Sequence, residues 1–352
     1  MISKINYEQA LQKKSKIFID VRSPAEHEES TIPGSVNIPV FSNQERKNIG
    51  TIYQKESPAR ARMRGVEILS PKIPSILKKI KQYKKKYNYV IIFCSRGNLR
   101  SKSVVRFCEL AGFKVYQLNG GYKAYRRFIL DELENYQLES KLLVIHGFTG
   151  VGKTDLLHQL KDKGVNIIDL EKLANHRGSA FGGIGLAKPT NQKQFDSLLW
   201  EKLEKHNGNG IIAVEAESKR IGMSVLPDFF LEEMERGFHV LIQSSLATRV
   251  ERIYQEYAAS YQKNREAFIE SAIDSITGVK KYIIGRLGKD GYNKLIKLCK
   301  NGQLREVIKI LLQDYYDPMY KYSQDQFDKF ARIINSDDIE EIADRILDFI
   351  NN

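Results

Sequence analysis

Two short loops carry residue types at spacings suited to group-transfer chemistry. The first, Cys94-Ser95-Arg96-Gly97-Asn98-Leu99-Arg100-Ser101, places a cysteine directly after the apolar run Tyr89 to Phe93. A strand ending in Cys, with a tight loop that opens a helix, aims successive backbone N–H groups at the sulfur and stabilises an anion there. Arg96 and Arg100 are expected to add positive charge and raise the thiolate fraction of Cys94. A sulfur or selenium atom carried on Cys94 would be an anion held by the same donors. The second loop, Gly147-Phe148-Thr149-Gly150-Val151-Gly152-Lys153-Thr154, follows the apolar run Leu142 to Ile145 and has the full phosphate-loop signature between a strand and a helix. Gly147, Gly150 and Gly152 let the backbone, with Thr149, wrap a phosphate. Lys153 balances its charge and the Thr154 hydroxyl can hold magnesium.

Further polar groups close the later apolar strands. Asp169, Glu215 and Glu217 are candidates for magnesium or for a general base, or are solvated acids at the sheet edge; Arg220 follows them. His176, Arg177 and Ser179 open the Gly-rich stretch 176–185 on the side of an α/β sheet where ligands sit. They can meet a phosphate or take a proton, or belong to a plain turn. No feature of the sequence reads an adenine or guanine base, and a phosphate loop accepts any diphosphate.

Alternating strands and helices must position these loops, which gives an α/β fold with parallel sheets. Strands are expected at 17–21, 89–93 and 114–118, with helices over 73–87, 101–111 and 122–134. An acidic, polar stretch from Asp131 to Ser140 marks the boundary between domains 1–134 and 135–352. The second domain restarts with strand 142–146, helix 153–162, strand 165–170, a helix near 191–206 and strands 210–215 and 239–244. After Thr248 the pattern becomes helical until a late strand at 331–335.

The chain has 352 residues, 28% of them charged, and a net charge of +13. The charge is concentrated: from Arg46 to Arg127 there are 21 Lys or Arg against three acids. Such a block neutralises backbone phosphates and binds nucleic acid without reading its sequence. Arg60, Arg62, Arg64, Arg126 and Arg127 are the RNA-binding candidates beside the cysteine loop. The apolar runs are far shorter than the roughly 20 residues needed to span a bilayer. The N-terminus shows no apolar signal segment, and the three cysteines (Cys94, Cys108, Cys299) are too few for a disulfide framework. A cytoplasmic protein with reduced thiols and no membrane partner is expected.

Asp20-Val21-Arg22-Ser23-Pro24 with Glu26, Ile32 to Pro39, the Cys94 loop and Gly120-Gly121-Tyr122 together resemble a rhodanese-like domain. In such domains Cys94 falls on the chalcogen-carrying cysteine, while Asp20 and Arg22 match positions that hold the fold. Fused to a phosphate-loop domain, the whole chain resembles the tRNA 2-selenouridine synthases. Tyr53 to Pro58 with Ala61-Arg62, Asp169-Leu170-Glu171 leading to His176-Arg177-Gly178-Ser179, Glu215 to Ser218 with Ile221-Gly222, and Tyr316-Asp317-Pro318-Met319-Tyr320 carry this likeness. Asn98 departs from it, standing where that family often has a second glycine.

The resemblance implies a two-step modification of the wobble base, 5-methylaminomethyl-2-thiouridine, in a tRNA anticodon stem-loop. Its sulfur is first alkylated by geranyl diphosphate; selenium from selenophosphate, carried on the cysteine, then replaces the geranylated sulfur. Geranyl diphosphate would sit on Gly147 to Thr154, with Phe181, Trp200 or Phe229 as walls for its tail. Two other readings remain open at this point: an ATP-dependent tRNA sulfurtransferase, and a nucleotide-gated module with Cys94 as a redox switch.

Overall fold

A computed structural model describes residues 2–177, 189–319 and 330–351. The chain divides into two compact units, Met1–Asn135 with Asp196–Trp200, and Tyr136–Phe195 with Glu201–Asn352.

In the first unit, β1 (Lys4–Ile5), β2 (Lys16–Asp20), β3 (Val36–Asn37), β4 (Tyr89–Phe93) and β5 (Tyr116–Leu118) form one parallel sheet in the order β1-β5-β4-β2-β3. Its helices are α1 (Tyr7–Leu11), α2 (Pro24–Glu29), α3 (Asn43–Lys55), α4 (Pro58–Leu69), α5 (Ile73–Lys86), α6 (Leu99–Leu110) and α7 (Gly121–Glu134). β4 is the middle strand, and Val90 to Phe93 are fully buried, as expected of a parallel strand covered on both faces. That burial is why its sequence is continuously apolar. On α5, Ile76 and Ile80 face the core one turn apart while the lysines point to water. Lys84 to Lys86 occupy its last turn, where cations suit the helix dipole.

The second unit begins with β6 (Lys141–His146), α8 (Lys153–Asp162), β7 (Asn166–Ile168), α9 (Leu170–Ala174), α10 (Gln192–His206, whose Asp196–Trp200 stretch groups with the first unit) and β8 (Ile211–Glu215). A two-stranded antiparallel pair, β9 (Arg220–Ile221) and β10 (Ser224–Val225), precedes α11 (Asp228–Glu235) and β11 (Phe238–Gln243). A helical region follows: α12 (Leu246–Lys263), α13 (Arg265–Gly278), α14 (Lys280–Lys300), α15 (Leu304–Ile310) and a π-helical turn, Leu311–Tyr316. β12 (Arg332–Asn335) and a closing helix, Ile339–Asn351, complete the unit. The parallel order is β12-β11-β6-β8-β7, so the strand that feeds the phosphate loop is again the middle one.

The expected strand 165–170 is cut to Asn166–Ile168, because Asp169 turns to cap α9 by accepting from the Lys172 amide at 2.8 Å. The expected helix from Ser101 starts two residues earlier, at Leu99. The short pair β9–β10 has no counterpart in the sequence reading, since two-residue strands carry no periodicity.

Candidate active site

Cys94 directly follows β4 and is buried; its Sγ lies 3.3 Å from Ser101 Oγ and 4.0 Å from the Asn98 carbonyl oxygen. Gln117 fixes the loop by donating to the Gly97 carbonyl at 2.8 Å and to Ser101 Oγ at 2.9 Å. The start of α7 presses on it from the other side. The Tyr122 amide donates to the Cys94 carbonyl and the Lys123 amide to the Ser95 carbonyl, both at 2.9 Å. Gly121 has φ +59°, and a Cβ there would stand 2.1 Å from the Cys94 carbonyl oxygen and 2.4 Å from the Gly97 nitrogen. Only glycine meets both demands.

Arg100 is not a sulfur-facing cation. It forms a two-pronged pair with Glu26, at 2.6 and 3.1 Å, and donates to Ser95 Oγ at 2.8 Å. Burial alone would raise the Glu26 carboxyl. The Arg100 hydrogen bonds and charge, with the Ser23 amide and Arg46, outweigh it and lower the group to about 2. Arg100 therefore fastens the loop to α2, and its charge is already matched. Arg96 stays exposed at the loop's rim. Asp20 and Arg22 make a buried pair at 2.6 Å, with Arg22 also donating to the Ser30 carbonyl and lying over the Tyr122 ring; both hold the fold.

In the second unit the phosphate loop joins β6 to α8. Gly150 and Gly152 adopt φ +82° and +87°, the left-handed region. A Cβ on Gly152 would meet the closing helix, 2.6 Å from Ile339 Cδ1. Lys153 Nζ donates to the Gly147 carbonyl at 3.1 Å, folding back over the loop. Two arginines of α12 brace the same loop. Arg249 donates to the Thr149 carbonyl at 2.9 Å and grips Asp317 with both terminal nitrogens, at 2.9 and 2.6 Å. Arg252 donates to the Val151 carbonyl at 2.7 Å and to the Asp337 carbonyl at 2.6 Å.

A cavity of about 960 Å³ opens from this loop. Its polar end holds Thr149, Gly150, Gly152, Lys153 and Thr154 with Asp169, Glu171, His176, Arg177 and Glu217. Its other end is apolar and built by the helical region: Phe268, Ala272, Ile276, Leu304, Val307 and Leu312 are among its walls. Burial, the neighbouring Glu217 and Asp169 push Glu171 up to about 7, against the opposing pull of Lys153 and the Thr154 hydroxyl. Thr154 Oγ1 donates to Glu171 Oε2 at 3.3 Å. Burial also raises Glu217, again opposed by Lys153. Thr154 Oγ1 and Glu171 Oε2 are the oxygens that could hold a magnesium ion, which binds through one or two protein oxygens and completes its shell with phosphates and water; it would supply positive charge beside a bound phosphate.

The other predicted residues divide: Asp169, His176 and Arg177 line the cavity with partners of their own, and Glu215, Arg220, Trp200 and Phe229 do not line it. Asp169 Oδ2 meets His158 Nε2 at 3.2 Å. His176 is packed beneath Gly222, and burial, then Arg177, lowers its pKa. Arg177 pairs with Glu256 and lies 5.0 Å over the Tyr257 ring. Glu215 is not at the cavity; it is fully buried behind it, its Oε2 accepting from the Leu170 amide at 3.1 Å. Arg220 is exposed on β9 and is not among the cavity walls. Neither are Trp200, which packs on Tyr7 and Phe128, nor Phe229, which packs on Tyr136. Ser179 and Phe181 lie outside the described residues.

Among the RNA candidates, Arg62 and Arg127 are exposed, while Arg60 pairs with Glu56 and Arg64 with Glu67 on the surface. Arg126 is withdrawn from solvent by Asp196, at 2.7 Å, and Ser197, so it is not a free cation for RNA. Arg249, Arg252 and the apolar wall were missed by sequence reasoning, and Glu171 was visible only as part of the Asp169-Leu170-Glu171 run. Asp317 was visible only as part of the Tyr316-Asp317-Pro318 run.

A cysteine loop and a phosphate loop, each after the middle strand of its own parallel sheet, define a rhodanese-like domain joined to a P-loop domain. A sequence model of the rhodanese-like domain matches residues 5–128, and one of the tRNA 2-selenouridine synthase AAA domain matches residues 140–351. Proteins named tRNA 2-selenouridine synthase are similar along nearly the whole chain. The one from Pseudomonas putida (strain W619) is 32% identical over 332 residues, 87% of this chain and 88% of that protein. The one from Shewanella piezotolerans is 33% identical over 355 residues, 95% and 94%. The chain belongs to the tRNA 2-selenouridine synthase family.

Proposed function

We propose that this transferase modifies tRNA, converting wobble 2-thiouridine to 2-selenouridine through an S-geranyl intermediate. The cavity carries the reading: a phosphate loop at one end and an apolar wall at the other suit a ligand with a diphosphate head and a hydrocarbon tail. Its volume lies within the range of small-molecule sites, roughly 300–1,000 Å³. Geranyl diphosphate has that build. The thiouridine sulfur attacks the carbon next to the diphosphate, the carbon–oxygen bond breaks, pyrophosphate leaves and the ring N3 proton is lost to solvent. Lys153 and the amides of Gly150 to Thr154 meet the charge that develops on the leaving oxygens. Alkylation turns a poor leaving group into a good one. The selenium of selenophosphate, brought to the Cys94 loop, then attacks the ring carbon that bears the geranylated sulfur; the carbon–sulfur bond breaks, geranylthiolate leaves, and hydrolysis of the selenium–phosphorus bond releases phosphate and leaves 2-selenouridine.

The test incubates the protein with 2-thiouridine tRNA, geranyl diphosphate and selenophosphate, and weighs the digested nucleosides by mass spectrometry. S-geranyl-2-thiouridine without selenophosphate, and 2-selenouridine with it, are expected. Tight binding of ATP with none of geranyl diphosphate, and ATP turnover stimulated by tRNA, would replace this reading with an ATP-dependent sulfurtransferase.

A further inference from the structure

The residues from Arg46 to Arg127 carry the basic block, yet the second half of the chain has a basic surface of its own. Residues 128–352 sum to a net charge of −4, and without α14 they sum to −10. α14 alone holds seven Lys or Arg against the single acid Asp290. All seven are exposed, and none of them has an ion-pair partner among the described residues. Several other surface arginines of this unit are neutralised, Arg236 by Glu232 and Glu233, Arg305 by Glu251 and Arg345 by Glu341, and no other helix among the described residues of the unit gathers so many unpaired cations. Seven like charges on one bent helix repel one another, which raises the free energy of the unliganded surface.

The opposite face of α14 is fixed. Ile283, Tyr292, Leu295 and Cys299 are buried in the helical core, and Cys299 is part of the cavity wall. The helix bends at Gly288 (φ 73°), so its cations spread along an arc and not along one straight row. Lys294, Lys297 and Lys300 recur every third residue and neighbour one another on the second segment. Tyr282, 65% exposed, is the one large apolar side chain that α14 presents to solvent.

We propose that the outer face of α14 is a phosphate-backbone contact for the RNA substrate, placed on the outside of the wall that encloses the cavity. This rests on the reading of RNA as substrate. A polyanionic backbone neutralises an unpaired arc of cations, and the exposed Tyr282 ring offers a face for an unpaired base. A lipid surface would require an apolar face beside the charges, and a single tyrosine does not make one.

The test replaces Lys281, Arg286, Lys289, Lys294 and Lys297 together by Gln in the full chain and follows tRNA binding by fluorescence anisotropy from low to physiological salt. Lys280 is kept because its ammonium lies over the Tyr292 ring. The variant should bind tRNA at least tenfold more weakly at 0.1 M salt. The slope of log affinity against log salt should fall by roughly 0.7–0.9 per lost phosphate contact. A thermal midpoint equal to wild type shows that the fold is intact, and Arg62→Gln with Arg127→Gln serves as the first-unit comparison. Wild-type affinity and slope in the α14 variant would overturn the proposal while leaving RNA as the substrate. A wild-type protein that binds tRNA without salt dependence would instead overturn the reading of RNA beneath it. Loss of binding to anionic phosphatidylserine vesicles, with tRNA binding unchanged, would reassign the surface to membrane.

Discussion

Glu171 gives the cavity a measurable pH signature. Its carboxyl has an ordinary value of 4.5 and is raised to about 7, first by burial and then by Glu217. Below about pH 4.5 the group is protonated in both folded and unfolded chains and adds nothing to pH dependence. Between 4.5 and 7 the unfolded chain releases the proton while the folded one keeps it. Stability therefore falls as pH rises through that window and levels off above it. A shift of this size corresponds to about 3 kcal/mol at 1.36 kcal/mol per unit. Glu171→Gln keeps the shape and an oxygen for the Thr154 hydroxyl, and it cannot ionise. At pH 8, with chelator present, the variant should be more stable than wild type by up to about 3 kcal/mol. For a unit of about 200 residues that is a rise in Tm of roughly 6–12 °C. At pH 4.5 to 5 the two proteins should unfold nearly alike. Scanning calorimetry across pH checks this, and parallel curves for the two proteins would refute the placement of Glu171 in a buried acidic group.

Three other outcomes follow from the geometry. Cys94→Ser should leave S-geranylated tRNA and no selenouridine, while Lys153→Ala should lose both products; nucleoside mass spectrometry separates them. Asp317→Asn breaks the grip on Arg249 and should cost about 2 kcal/mol in denaturant unfolding, less than a fully buried pair because Asp317 is partly exposed. Since Arg249 also holds the Thr149 carbonyl, the same change should raise KM for geranyl diphosphate, read in steady-state kinetics. Ala272→Phe fills the apolar end of the cavity; calorimetry should show geranyl diphosphate binding weakened at least tenfold and inorganic pyrophosphate binding unchanged.

The two loops and their strands were legible in the sequence for a physical reason. A middle strand buried on both faces must be continuously apolar, and a loop that wraps an anion must be rich in glycine. Both signals are local. What escaped was set by distance along the chain. Arg100 looked like a thiolate partner because Glu26, which claims it, is 74 residues away. Arg126 looked free until Asp196 was placed beside it. The apolar wall was hidden in a different way. Phe268, Ala272 and Ile276 recur along α13 with the helical period of core residues, and periodicity cannot tell a face that meets protein from one that borders a cavity. Glu171 stood in plain view beside Asp169, but its two positions on α9 differ in what they meet. Asp169 caps the helix and Glu171 turns to the phosphate loop.

The glycine at position 121 also limits how the cysteine loop can change over evolutionary time. With no room for even a methyl group between α7 and the Cys94 carbonyl, the approach of α7 to the loop is set by backbone, while Gln117 and Arg100 hold the loop from its other sides. Variation that preserves the fold is confined to the outward positions, Arg96, Asn98 and Leu99, which are exposed. A substitution at Gly121 would therefore move the Cys94 carbonyl itself, whereas one at Arg96, Asn98 or Leu99 can change the rim without moving the sulfur.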